Sequence, residues 1–174
     1  MRRFLLVIVL VAVGLRVAPA GADDSSTPCA FQVDVALSPG LSASPSSGTF
    51  RSEGESGTLD CRGNVDGQPA TGAGTFGAEG RYGTRGDGDS CRSESGGGDG
   101  TAHLTVPVEG GSRHVDDPFT LTYRIDEQSV VGEISGRRFT GTFDVTQAEG
   151  DCLRHPITRI RVKGKGYLRD ETNV

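Results

Sequence analysis

The side chains best suited to chemistry are carboxylates in two loop segments. Four follow one another through a glycine-rich stretch and a fifth lies nearer the C-terminus: Asp87, Asp89, Glu94, Asp99 and Asp151. Clustered carboxylates can bind calcium, which takes six to eight oxygen ligands. However, an EF-hand loop that began at Asp87 would have Gly98 where its closing glutamate belongs. We therefore keep the five residues as candidate metal ligands, with a solvated acidic surface as the simpler interpretation.

No motif of a known catalytic mechanism accompanies these acids. His103, His114 and His155 are scattered and do not have a zinc-binding spacing such as H-E-x-x-H. The chain contains neither the G-x-S-x-G of serine hydrolases nor a glycine-rich phosphate-binding loop. The sequence therefore predicts no catalytic residue and no cofactor. An enzyme with its site on the acidic loops stays as the alternative.

A run of basic residues near the C-terminus is the clearest charge feature. Residues 153–169 contain six basic and no acidic side chains, although the whole chain has a net charge of −5. Five of the basic residues would share the outer face of the last strand, namely Arg159, Arg161, Lys163, Lys165 and Arg169. This basic stripe could bind an anionic cell-envelope polymer, or it could be neutralised by acids on neighbouring strands. Nucleic acid is not favoured, because Tyr167 is the only aromatic residue nearby for base stacking.

The N-terminal segment has the three parts of a signal peptide. Arg2 and Arg3 precede an apolar run over 4–13, and small residues at 18–22 provide two cleavage sites of small-x-small type. The apolar run is well short of the ~20 residues that span a bilayer. We therefore predict that 1–22 are cleaved and that 23–174 form one secreted or cell-envelope domain without a membrane span. The abundance of Gly, Ala, Arg, Asp and Val is typical of a bacterial genome of high GC content.

Apolar residues recur at every second position through most of the remaining chain, which is the pattern of half-buried β-strands. Phe31, Val33, Val35 and Leu37 begin the pattern, and similar alternation predicts seven further strands. No helix is predicted, whereas 38–48 and 85–100 have the composition of loops. About eight antiparallel strands fit a closed β-barrel or a two-sheet sandwich. We favour the barrel, because glycines at inward positions are typical of strongly bent strands.

The four cysteines predict two disulfides. Cys29, Cys61, Cys91 and Cys152 are tens of residues apart, unlike the close ligand pairs of a structural zinc site. In an up-and-down barrel, successive loops alternate between the two ends, which places Cys91 with Cys152 and Cys29 nearer Cys61. We therefore predict Cys29–Cys61 and Cys91–Cys152. A Greek-key connection would break this argument, and Cys61–Cys91, a pair close in sequence, is the main alternative.

The predicted inward faces carry aliphatic, aromatic and glycine residues and no charged side chain. Such an interior is either a packed core or a pocket for a small apolar ligand, and it provides no group for acid–base catalysis. The size and strand number are similar to those of avidins and lipocalins, but those families usually rely on tryptophan and this chain has none. The resemblance therefore implies architecture alone. We expect a non-enzymatic binding or interaction protein for a small apolar ligand or an anionic polymer, ahead of an enzyme or calcium-binding protein.

Overall fold

A computed structural model describes residues 26–52, 57–126 and 129–171, and the predicted signal peptide lies outside these ranges. Most of the described chain lies in β-strands, and the described residues contain no α-helix. The strands are β1 (Ser26–Leu41), β2 (Gly48–Ser52), β3 (Gly57–Cys61), β4 (Asn64–Val65), β5 (Gln68–Pro69), β6 (Ala73–Tyr82), β7 (Ser95–Val108), β8 (Gly111–Asp126), β9 (Ser129–Gly136), β10 (Phe139–Glu149) and β11 (Ile157–Arg169).

The sheet closes on itself as an up-and-down barrel. From β6 to β11, each strand pairs with the next in antiparallel fashion, and β11 pairs with β1. Strands β2 and β3 lie end to end and together occupy one position between β1 and β6. The ring therefore has eight positions, as the alternation predicted, while β4 and β5 form a separate two-stranded ribbon.

The two predicted loops are shorter than expected. Strand β1 extends to Leu41, and β7 begins at Ser95 rather than after Gly100. The glycines at the start of β7 leave room for aromatic rings from other strands to lie against the β7 backbone. A Cβ atom on Gly96 would overlap the ring of Tyr123, and one on Gly100 would lie 2.9 Å from the ring of Phe50. These glycines therefore form part of the barrel wall.

One half of the interior is a packed core, and we call its end of the barrel the closed end. The rings of Phe31 and Phe76 stack with their centroids 4.4 Å apart, and Phe139 meets Phe31 edge-on at 5.8 Å. Leu59 and Leu168 are each 1% exposed. Side chains therefore fill this half of the barrel.

Both predicted disulfides are confirmed. Cys29 lies opposite Cys61 across β1 and β3 and is bonded to it. Cys91 and Cys152 join two loops at the other end, which we call the rim and define by loops 42–47, 83–94 and 150–156. Two disulfides are typical of an oxidising, extracellular environment. Among the described residues, no helix has the length and apolar character needed to cross a membrane.

The expectation of an interior without charged side chains is wrong at the two ends of the barrel. Asp89 at the rim and Asp117 at the closed end are each 2% exposed, and Arg138 is 8% exposed. All three are hydrogen-bonded to loops or turns, which removes the cost of burying them unpartnered. Between the ends, the inward faces are apolar as predicted.

Candidate functional site

The rim half of the barrel contains an apolar cavity of about 180 Å³ that is partly open to solvent. Its wall includes Val33 and Phe143, together with side chains such as Leu121, Val145 and Ile160 that point inward. The last three are only partly buried, unlike the residues at the closed end. A side chain that points into the barrel and still has accessible surface must border space that no other side chain fills. The cavity thus begins where the phenylalanine cluster ends.

The hydroxyl groups of two tyrosines that line this cavity are hydrogen-bonded to the protein itself. The Tyr82 hydroxyl donates to the carbonyl of Pro39, and the Tyr123 hydroxyl donates to Asp89 Oδ2 at 2.8 Å. Burial, with the nearby Asp89 carboxylate, raises the pKa of Tyr123 far above its usual range, so the phenol stays protonated. The cavity wall is consequently almost entirely carbon. It can hold a ligand by shape and hydrophobic contact, without hydrogen bonds.

Loop 83–94 folds over the cavity and is held from inside by Asp89. Besides the Tyr123 hydroxyl, Asp89 Oδ2 accepts the backbone N–H groups of Gly83 at 3.0 Å and Gly97 at 3.2 Å. The next two residues, Ser90 and Cys91, line the cavity, and the disulfide joins Cys91 to the loop opposite. Loop 83–94 therefore forms part of the cavity wall at the rim.

The structure does not gather the candidate metal ligands into one site. Asp99 pairs with Arg81 at 2.9 Å on the outer face, and Asp89 is engaged as described above. Asp151 accepts the N–H groups of His155 and Arg154, which lower the pKa of its carboxyl. Asp87 and Glu94 are exposed. Within the described ranges, no three His, Cys, Asp or Glu side chains are arranged to hold a metal ion.

The basic stripe runs along the outer face of β11 as predicted, but acids accompany its rim half. Arg159 pairs with Glu149 at 3.1 Å. Arg161 forms a two-pronged contact with Asp34, at 2.7 and 2.9 Å. Through this hydrogen bond the pKa of Asp34 falls and the pKa of Arg161 rises. Lys163 lies opposite Asp144 in the strand register.

The closed-end half of the stripe has different neighbours. Lys165 lies between Ala30 and Thr142, and Arg169 lies opposite Ser26. No acid stands beside either residue on the adjoining strands. The stripe therefore has two parts. The rim half lies directly beside carboxylates, whereas the closed-end half lies beside small uncharged side chains and has its next acids, Asp60 and Glu133, one strand further away.

Comparison of the chain with protein-family models, with curated proteins and with solved structures gives no match in any of the three. The assignment of function therefore depends on the cavity and the surface themselves. Of the residues that line the cavity, sequence reasoning missed six, namely Leu41, Phe50, Ser90, Cys91, Ala148 and Ile157. Phe50 lies in the short alternation Thr49-Phe50-Arg51, which could have indicated β2, whereas no local pattern shows that Ser90 and Cys91 fold inward.

Proposed function

We propose that this protein is a secreted, non-enzymatic binding protein that holds a small apolar ligand in the rim half of its barrel. The supporting observation is the carbon-lined cavity of about 180 Å³. Protein interiors are normally close-packed, so apolar space of this size inside a barrel is unusual. A ligand in the cavity would bury the partly exposed side chains of Leu121, Val145 and Ile160 and would be stabilised by that apolar contact.

The cavity also limits the chemical class of the ligand. An apolar cavity of ~150 Å³ is large enough for benzene. The buried part of the ligand is therefore about one aromatic ring with a small substituent, or a short hydrocarbon chain. Any polar group would have to lie at the rim, because burying it against this wall would leave it without a hydrogen-bond partner.

Export is the second part of the proposal. The two disulfides and the predicted signal peptide support folding outside the cytoplasm. An enzyme or calcium-binding protein on the acidic rim has weaker support, because Asp89, Asp99 and Asp151 already have protein partners.

Two neighbouring valines on β9 test the cavity. Val130 faces the cavity and Val131 lies on the opposite face of the same strand, so Val130→Phe and Val131→Phe make the same change on opposite sides of the barrel wall. Fluorine NMR of fluorobenzene and 4-fluorotoluene would measure binding to the disulfide-bonded protein. We expect binding by the unmodified protein and by Val131→Phe, and a loss of about ten-fold or more in Val130→Phe.

A structural control accompanies this experiment. Because the added ring fills free space, Val130→Phe should unfold at a denaturant concentration no lower than Val131→Phe. Equal probe binding by the two variants, or no probe binding by the unmodified protein, would refute the proposed ligand site.

A further inference from the structure

The outer face of the barrel carries a groove that is separate from the interior cavity. Strand register places Pro28, Tyr167, Thr140 and Ser135 in one row across β1, β11, β10 and β9. Because its neighbours on both sides are short, the Tyr167 side chain is 56% exposed. Among the described residues, the other large hydrophobic side chain exposed to solvent is Leu153, which lies in a rim loop.

The adjoining row supplies hydrogen-bonding groups. Lys165 stands at its centre between Ala30 and Thr142, and the row ends in Asp60 on β3 and Glu133 on β9. The small residues beside Lys165 leave a groove of about 800 Å³ along the sheet. Hydroxyl, ammonium and carboxylate groups thus border an exposed aromatic ring.

The charges around this groove are balanced. Three bases and three acids border it and its continuation towards the rim: Arg62, Lys163, Lys165, Asp60, Glu133 and Asp144. A dense polyanion would be attracted by the bases and repelled by the acids in the same groove. An uncharged ligand rich in hydroxyl groups can donate to the carboxylates and accept from the ammonium groups without that repulsion.

We propose that this groove binds a neutral polysaccharide built of pyranose rings. One face of such a ring presents C–H groups, which pack on the face of an exposed aromatic side chain such as Tyr167. The ring hydroxyls would meet Thr140 and Thr142 on one side and Asp60 on the other. The structure supplies the apolar platform and both kinds of hydrogen-bonding partner within two adjacent rows.

Affinity electrophoresis in native gels tests this site on the disulfide-bonded protein. The gels would contain hydroxyethylcellulose, laminarin or dextran as neutral polymers, and polygalacturonate as the polyanion. We expect retardation by at least one neutral polymer, a loss of about ten-fold in apparent affinity for Tyr167→Ala, and near-normal affinity for Tyr167→Phe. Leu153→Ala removes the other exposed apolar side chain and should bind normally.

Further variants separate this proposal from its rivals. Lys165→Gln should keep most of the affinity for the neutral polymer, and Val130→Phe should keep all of it, because the interior cavity is not involved. Binding only to polygalacturonate, abolished by salt and by Lys165→Gln, would overturn the proposal in favour of a polyanion site. Absence of retardation by every neutral polymer, or retardation unchanged in Tyr167→Ala, would also overturn it.

Discussion

Two buried carboxylates stabilise opposite ends of the barrel by the same chemistry. Asp89 accepts backbone N–H groups on both sides of loop 83–94, and Asp117 accepts those of the turn between β9 and β10. At the closed end, the N–H donors belong to Arg137, Arg138 and Phe139, at 2.7 to 3.2 Å. A carboxylate that accepts several N–H groups is difficult to replace, because each buried N–H group left without an acceptor lowers the free energy of unfolding by about 1–3 kcal/mol.

Adjacent aspartates allow a direct test of this effect. Asp117→Ala should lower the free energy of unfolding by about 3–5 kcal/mol, because three backbone N–H groups, two of them buried, lose their acceptor. Asp116→Ala removes the exposed partner of His103 and should cost no more than about 1 kcal/mol. Urea denaturation followed by tyrosine fluorescence would measure both. Similar midpoints for the two variants would show that Asp117 is not the acceptor that holds the turn.

At the scale of elements, the rim is held by one covalent and one hydrogen-bonded connection. The Cys91–Cys152 disulfide joins loops 83–94 and 150–156, which are 61 residues apart at the two cysteines. Asp89 anchors the first loop to the barrel through Gly83 and Gly97. The disulfide thus positions the outer part of the loop, while Asp89 positions its base.

The Cys91→Ser/Cys152→Ser double variant separates these two connections. We expect faster hydrogen exchange, by about ten-fold or more, at the amides of 89–93, and unchanged exchange at the closed-end turns around 109–110 and 137–138. The variant should also lose up to about 4 kcal/mol of stability, because the open loop gains freedom in the unfolded chain. Exchange in 89–93 at the unmodified rate would show that the Asp89 hydrogen bonds suffice to hold the loop.

The elements were predictable where side chains alternate and unpredictable where they do not. Alternation placed eight strands in the ring, and the order of the loops then paired the cysteines correctly. At the start of β7 the sequence predicts a loop, because consecutive glycines show no alternation of apolar and polar side chains. A shift of register between Val145 and Gln147 brings Glu149 opposite Arg159, so this ion pair could not be anticipated from regular pairing. Asp117, in contrast, continues the inward series of Val115 and Phe119 and could have been found.

On the scale of the whole molecule, one ionic network covers the closed end. The Arg138 guanidinium donates to Asp66 Oδ1 at 2.7 Å and to the carbonyl of Arg169 at 3.2 Å. Asp66 also accepts the N–H of Glu171, and its own N–H donates to Asp170. These contacts fasten the turn of the β4–β5 ribbon and the chain after β11 to the turn between β9 and β10.

This network should make the protein sensitive to acid. Burial opposes ionisation of Asp66, but the N–H of Glu171 and the Arg138 guanidinium outweigh it and hold the Asp66 pKa below its ordinary value of 3.8. A lowered folded-state pKa contributes stability that is complete above about pH 4 and is lost as the pH falls through the folded value. In Asp66→Asn the thermal midpoint should be lower at pH 7, by the equivalent of about 2 kcal/mol, and should fall less between pH 5 and pH 3.

Asp60→Asn is the matched control for this measurement. Asp60 is exposed and its pairing with Arg62 at 3.4 Å is weak, so the variant should follow the unmodified protein at each pH. An equally steep acid transition in Asp66→Asn and the unmodified protein would assign the sensitivity to other carboxylates.

The pairing of β1 with β11 determines when the barrel can form. Ser26 is aligned with Arg169, so the ring requires its first and last strands at the same moment. Contacts so distant in sequence make folding slow, because loop-closure entropy is lost before the contacts form. If the chain is exported as proposed and leaves the membrane channel with its N-terminus first, β1 would keep one unpaired edge until β11 has also emerged. Under that proposal the barrel would be completed only after export, and the edge would be open to other chains in the interval.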